Sequence, residues 1–399
     1  MPQHSDLRAT SPYAIWRAGV VRQLGEDGYE RRLRTRTEDG VTIEPLYAPG
    51  CGGVDANPSL VPSRSGAWLM RSHLDLDAGA AVLAEAVRDD LANDVRSFYF
   101  TAASATALPK LASALEGLAL DQVELAFGGA LAGDPAAAFL KTLWERHRTA
   151  ADARRASLGA EHAVTRPPHG VWPARLSAAR WFDAGLPLAG SLGVALAAGA
   201  EYLRDAERRG ISAAHATVQL EFEVGVGSRL FENVAAIRGA RLLWLRLLQL
   251  AGGAEVTSGP RLVVVESQRI LSATVPDYDL LRGAVAAWSG AVAGADVIVI
   301  EPFDSLSSQG ALGRRLARNT HHVVREEGQL HRVADPAAGS WAFETLTDQL
   351  AAKAWQVAQE IEAEGGYAAS RKRGDLERRV DIAIEQRMRS AARAEGVSA

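Results

Sequence analysis

Short β-branched or aromatic runs alternate with helical stretches about eight times between residues 66 and 305, and this repeat leaves the chain few folds to adopt. The runs are Ala67–Arg71, Ser97–Phe100, Gln122–Phe127, Arg154–Leu158, Arg175–Phe182, Thr217–Val224, Arg261–Glu266 and Val297–Ile300. Between most of them lie periodic helical segments: Ala78–Asn93, Leu108–Leu115, Ala136–Arg148, Leu188–Arg208, Leu230–Leu250 and Tyr278–Val292. Strand followed by helix predicts parallel pairing, because parallel neighbours need a crossover of a dozen or more residues. Eight such units over some 240 residues predict an α/β chain built as a (β/α)8 barrel. An open, doubly wound sheet has the same periodicity and stands as the alternative.

Three regions differ in texture. Residues 1–65 form an arm with aromatic and basic residues around Trp16, Tyr29 and Tyr47, followed by a Gly- and Pro-rich loop from Pro45 to Ser65. Residues 66–305 carry the barrel pattern. Residues 306–399 are helical and more charged, completing the barrel domain. There Leu346, Leu350, Ala354, Val357 and Ile361 follow helical spacing, and Gly365-Gly366 stop the helix as a left-handed cap does. A second, densely charged helix is expected from Asp375 to Arg393.

The balance of charge excludes several functions. With 44 basic and 48 acidic side chains the net charge is −4, which offers no footprint for nucleic acid or an anionic membrane. No apolar run approaches the roughly 20 residues that span a bilayer, and the polar first ten residues do not resemble a signal peptide. The one cysteine, Cys51, forms neither an internal disulfide nor a thiolate metal site by itself, which fits a reducing cytoplasm. It sits among glycines with no obvious base and reads as incidental.

In a (β/α)8 barrel, catalytic groups sit at the C-terminal ends of the strands. Asp183, Glu223, Glu266 and Glu301 lie near such ends. Facing carboxylates could serve as an acid/base pair or hold a hard cation. The plainer expectation is pairing with Arg180, Arg229 and Arg269, or exposure to water. His321 and His322 are adjacent, point about 100° apart on a helix and read as a solvated surface. Gly225 and Gly227, in Val224-Gly225-Val226-Gly227-Ser228, partly resemble a phosphate-cradling turn but lack the third glycine and the Lys-Ser/Thr pair. A tight strand-to-helix turn accounts for them.

Several segments resemble the methylmalonyl-CoA mutase family. They are Ala317-Arg318-Asn319-Thr320, Asp335-Pro336-Ala337-Ala338-Gly339-Ser340-Trp341, and Glu344-Thr345-Leu346-Thr347-Asp348 with Ala354-Trp355 and Gln359 through Gly366. Upstream, Leu196 through Leu203 and Ile237 through Trp244 are similar to two more family segments, and Asp39 through Tyr47 to its entry motif. The resemblance covers most of residues 30–395 and is thin between 50 and 190. It implies an adenosylcobalamin-dependent isomerase of acyl-CoA esters, interconverting methylmalonyl-CoA and succinyl-CoA in propionate metabolism. The implied fold is a (β/α)8 barrel whose axis admits the CoA arm, followed by a flavodoxin-like cobalamin domain.

Two departures redirect that expectation. No DxHxxG motif, the family's cobalt-ligating signature, occurs, and about 30 residues follow Gly366 where a corrin-binding domain needs on the order of 100. The family's catalytic histidine position holds Arg180, preceded by Ala179, and its strand-four glutamine falls at Gly159. The substrate loop shrinks to about Val61–Gly66. An arginine stays protonated and cannot take a neutral donor-acceptor role. The bulky runs Arg261–Glu266, Val297–Ile300 and Phe98-Tyr99-Phe100 predict a plugged interior, with Arg175–Ala179 as the smaller exception.

The resemblance therefore implies the small, non-catalytic subunit of a heterodimeric mutase, without the cobalamin domain. No catalytic, cofactor or metal residue is expected on this chain. Adenosylcobalamin and the chemistry belong to a large partner subunit, which the arm wraps with Trp16, Tyr29 and Tyr47 as anchors. Those aromatics pinning the arm to its own barrel is the competing expectation. Three rival functions remain: an active split mutase whose cobalamin domain is a separate chain, a barrel hydrolase using the strand-end carboxylates, and a free-standing scaffold.

Overall fold

The computed structural model describes residues 11–48, 66–161, 170–253, 259–306 and 310–394. Eight parallel strands close into a barrel: β3 (Leu69–Asp75), β4 (Ser97–Thr101), β5 (Glu124–Phe127), β6 (Ala156–Ala160), β7 (Val171–Ser177), β8 (Leu220–Val226), β9 (Arg261–Glu266) and β10 (Val297–Val299). Each strand pairs with its successor, and β10 returns to β3. The open-sheet alternative is excluded by that closing ladder. A two-stranded antiparallel ribbon, β1 (Thr35–Arg36) and β2 (Thr42–Ile43), lies in the arm.

The run Arg175–Phe182 is not one strand. β7 ends at Ser177 and the chain turns directly into helix α5 (Ala179–Ala184). An unbroken apolar run does not distinguish strand from helix, and here Ala178 is the corner. Thr217 likewise belongs to the short helix α7 (Ala213–Val218), ahead of β8.

Outside the strands pack α2 (Ala80–Ala92), α3 (Leu108–Ala114), α4 (Asp134–Arg146), α6 (Leu188–Arg208), α8 (Leu230–Leu250), α9 (Asp277–Val292) and α10 (Ala311–His322). The outward-facing residues of the strands meet these helices in two apolar clusters. Phe98, Phe100, Leu125 and Phe127 pack in one, and Leu176, Phe222, Leu262, Val264 and Ile298 in the other. Helix α11 (Trp341–Ala363) then lies across α6 and α8. Its approach to α6 is so close that a Cβ at Gly193 would stand 2.7 Å from the Ala354 carbonyl. The C-terminal region is thus packed onto the barrel, ending in α12 (Tyr367–Arg373) and α13 (Asp375–Ala394). Gly365 and Gly366 carry positive φ, as the sequence requires of that stop.

The arm begins with α1 (Pro12–Arg32), capped by Ser11 and bent at Gly25, whose φ of 71° and ψ of 164° are not helical. The bend folds the helix back on itself. Trp16 meets Tyr29 edge-on, Arg17 pairs with Glu26, and Arg34 pairs with Glu30 and Glu44. Two acids tie the arm to the barrel. Glu38 bonds Arg387 and reaches Arg269, and Asp39 accepts from the Ala189 amide at the start of α6. Burial pushes Asp39 up to about 6 despite that amide.

Candidate functional site

Side chains alternate across each strand, so every second residue faces the barrel axis. On β9, β10 and β3 this inward set begins with Val263, Val297, Val299 and Leu69, a small apolar cluster of its own. Around the rest of the axis it is charged. Arg71 projects from β3, Ser97 from β4, Glu124 from β5, Ser157 from β6, Arg175 from β7, Glu221 from β8 and Arg261 from β9. The interior is sealed, as the sequence predicts, by Tyr99, Arg261, Val263, Val297 and Val299 of the expected runs together with charged side chains from the other strands. Phe98, Phe100, Val264 and Ile298 face the helices, and the Arg175 strand, read as the open exception, supplies a central part of the plug.

Glu221 is the hub. One carboxylate oxygen takes Arg71 at 2.8 Å and Arg261 at 3.1 Å, and the other takes Arg175 at 3.1 Å and the Ser157 hydroxyl. Glu124 binds Arg71 at 2.7 Å and Arg261 at 2.8 Å, and accepts from Ser97. The Arg71 and Glu221 side chains are 1% and 0% exposed, so no passage runs along the axis at this level. Small hydroxyl residues do line the bore, but two long guanidinium side chains fill the space they leave. Three arginines against two glutamates leave one positive charge, which faces Glu223, 3.9 Å from Arg175. Burial alone would push Glu221 up, yet Arg71, Arg175 and Arg261 hold it well below the usual carboxylate range. Glu124 is lowered by the same contest, with Arg261 and Arg71 outweighing burial.

Above the plug, at the C-terminal mouth, Tyr99 lies across the axis with Arg175 stacked on its ring at 5.0 Å. Gly128 makes this possible, because a Cβ there would stand 1.9 Å from the Tyr99 hydroxyl. Gly159, φ +67°, is needed for a similar reason: its Cβ would meet the Phe127 carbonyl, which accepts from Arg175. Beside Tyr99, His73 contacts Glu301 through Nδ1 at 2.9 Å and Thr101 through Nε2 at 2.9 Å. The reading of the sequence passed over His73, because it placed the end of β3 at Arg71.

The four strand-end acids have separate hydrogen-bond partners, although Glu266 feels the charge of Glu301 and Asp183 that of Glu223. Glu223 accepts from Ser177, and Glu301 holds His73. Asp183 lies on α5, accepts from Ser267 and is raised mainly by burial. Glu266 faces Gly283 on α9, where its Oε2 accepts from the Glu301 amide and its Oε1 has no partner among the described residues. Arg180 and Arg371 share Glu161 instead, Arg229 pairs with Glu232, and Arg269 with Glu38. His322 is half-buried, with its Nε2 against the Asn93 carbonyl, and His321 is buried, so neither is a plain solvated surface. His321 accepts from the Trp68 indole at 3.1 Å, and burial lowers it to about 3. The Gly225–Ser228 segment is a plain turn into α8, closed by Asn233 bonding both the amide and the carbonyl of Gly227. Cys51 and all of the shortened loop but Gly66 lie outside the described residues.

Glu266 gives a first prediction. Burial, with Glu301 nearby, raises it well above the ordinary value. A raised carboxyl stabilises the fold fully below the unfolded pKa and loses that contribution as pH rises through the folded one. Glu266→Gln is therefore expected to match wild type near pH 4 and to exceed it at pH 8, by about 1.4 kcal/mol per unit of the raise. Thermal melts across that range measure it, and equal melting temperatures at pH 8 would contradict it.

A closed parallel barrel with a salt-bridged axis and a polar mouth is a (β/α)8 scaffold of the kind that carries enzyme chemistry at its strand ends. A family model described as methylmalonyl-CoA mutase matches residues 169–397. The methylmalonyl-CoA mutase small subunit of Streptomyces virginiae is 34% identical over 94% of this chain and 67% of its own length. That of Propionibacterium freudenreichii subsp. shermanii is 29% identical over 85% of this chain and 58% of its own. The methylmalonyl-CoA mutase of Rhizobium meliloti is 31% identical over 54% of this chain and 30% of its own. The chain belongs to the methylmalonyl-CoA mutase family and spans at most about two thirds of these relatives. No helix among the described residues is long and apolar enough to cross a membrane.

Proposed function

We propose that this chain is the non-catalytic small subunit of a heterodimeric, adenosylcobalamin-dependent methylmalonyl-CoA mutase of the cytoplasm, supporting a large subunit that carries substrate, cofactor and chemistry. The observation that carries this reading is the sealed axis. A thioester tail has no route past Arg71, Glu124, Arg175 and Glu221, and the Arg180 guanidinium is turned to Glu161 at the rim. The mouth does not fit a cobalt centre either. An imidazole whose two nitrogens already contact Glu301 and Thr101, as in His73, offers none to a metal. The cofactor then belongs to the partner.

The three aromatic residues of the arm are engaged within this chain. Tyr29 and Trp16 are spent on folding the arm upon itself, and the Tyr47 hydroxyl accepts from the Glu44 amide. Ile15 remains 68% exposed on the helix, a single aliphatic side chain at the surface. The test is co-expression with a large mutase subunit, followed by purification and isomerase assay of each chain alone and of both. A stable one-to-one complex that turns over methylmalonyl-CoA, with no turnover from this chain alone, is expected. Turnover by this chain supplied only with an isolated cobalamin domain would replace this reading with the active split mutase.

A further inference from the structure

We propose that His73 and Glu301 form a pH-responsive clasp that closes the barrel seam at its C-terminal mouth. The seam is where the first and last strands meet. There β10 contributes only three residues, paired as Val297↔Leu69, Ile298↔Met70 and Val299↔Arg71. By contrast β8 and β9 run in register over six pairs, from Glu221↔Arg261 to Val226↔Glu266. Above Arg71, β3 continues to Asp75, but it pairs there only with β4. Nothing in the backbone ladder joins β3 to β10 over that upper stretch.

His73 bridges the gap from the side chains. Its Nδ1 lies 2.9 and 3.1 Å from the two oxygens of Glu301, two residues beyond the end of β10. Its Nε2 lies 2.9 Å from the Thr101 hydroxyl at the end of β4. One ring thus ties three strands across a ladder of only three backbone pairs. The Tyr99 ring, 5.1 Å away, limits its movement.

Charges of both signs surround the clasp, and the acids dominate at the ring. From its own strand His73 sees Asp75 and Arg71, from β8 Glu223, from the end of β10 Glu301 with Glu266 behind it, and from β7 Arg175 beside Tyr99. From α10, Arg314, Arg318 and His321 border the small cavity behind the strand, with Arg318 paired to Asp90. Burial lowers His73, but Glu301, Asp75 and Glu223 outweigh it, so the ring is raised above the ordinary imidazole value. Such a group contributes its stability fully below about pH 6.5 and loses it as pH rises through the folded value. The clasp is tight in mild acid and slackens in mild alkali, while the charged plug below it stays intact.

Hydrogen exchange on the full chain tests this between pH 6 and pH 9. The readout is the protection of amides in 69–75 and 297–301, corrected for intrinsic rates and divided by that of the 220–226 and 261–266 ladder. The ratio is expected to fall as pH rises, by about tenfold for each unit by which His73 is raised. His73→Gln and Glu301→Gln, either of which abolishes the charged pair, are each expected to hold the ratio at its alkaline value throughout. A wild-type ratio independent of pH would overturn the proposal, as would a Glu301→Gln chain that keeps the full slope.

Discussion

Glu221→Gln is expected to cost the fold about 3–5 kcal/mol, the range for removing one partner from a buried ion pair. The measurement is a urea unfolding curve, with the midpoint falling at an unchanged slope. Glu221 meets Arg71, Arg175, Arg261 and Ser157, and its side chain is wholly buried. The neutral amide leaves three guanidinium groups facing Glu124 and, at 3.9 Å, Glu223. Arg180→Ala is the control, because its pair with Glu161 is exposed on both sides and such pairs contribute about 0–1 kcal/mol. The pH dependence has a definite sign. A carboxylate held below its ordinary value gives stability above about pH 4.3 and loses it as pH falls through the folded value. Wild type should therefore lose stability steeply in acid, and the variant should lack that part of the slope. Its functional meaning follows from the same contacts. A tail threading the bore would have to break them, so the cost of the variant also measures how firmly the bore is shut. A loss under about 1 kcal/mol would mean that the plug does not hold the barrel, and the case for a silent interior would go with it.

The barrel was legible because eight apolar runs at helical distances leave little else to build. Which side chains filled it was not. Both faces of a parallel strand in such a barrel are buried, so apolar character does not reveal which face meets the axis. The runs Arg261–Glu266, Val297–Ile300 and Phe98-Tyr99-Phe100 predict the plug in either register; Phe98, Phe100, Val264 and Ile298 pack outward, while Tyr99, Arg261, Val263, Val297 and Val299 face the axis. A usable signal was present nonetheless. Arg71, Ser97, Glu124, Ser157, Arg175, Glu221 and Arg261 each break an otherwise apolar strand, and buried charges persist only when paired. Arginine and glutamate interrupting neighbouring strands at one level therefore mark a network inside. His73 was lost for a smaller reason: the histidine follows two polar residues, Arg71 and Ser72, where the apolar pattern had already ended. The corner at Ala178 was hidden because Ala179, Trp181 and Phe182 continue the apolar run into a helix.

The family signature near the C-terminus was read as a resemblance, and the structure shows what it does. Arg238→Met is expected to destabilise the chain by about 3–5 kcal/mol, because Arg238 is fully buried between two acids of that signature. Its guanidinium binds Asp335 and, at 2.8 Å, Glu344. Asp335 also accepts from the Ala337 amide, and Glu344 from the amide of Gly339, whose φ of 76° makes the turn between them. The segment Asp335-Pro336-Ala337-Ala338-Gly339 is thus a loop wound around one cation on α8, and it delivers the chain into α11. Removing the cation leaves two buried carboxylates facing each other and a turn with nothing to close on. Arg238→Lys is expected to recover little, since one ammonium cannot serve both carboxylates with the geometry of a planar fork. Glu344→Gln keeps the Asp335 pair and should cost less than Arg238→Met. In a double-mutant cycle the Arg238→Met and Glu344→Gln losses should add to more than the loss of the double variant, because the second change then relieves a stranded charge. Urea unfolding of the four proteins decides it. A lysine variant as stable as wild type, or strictly additive losses, would mean that the loop is held by its apolar packing and not by the arginine.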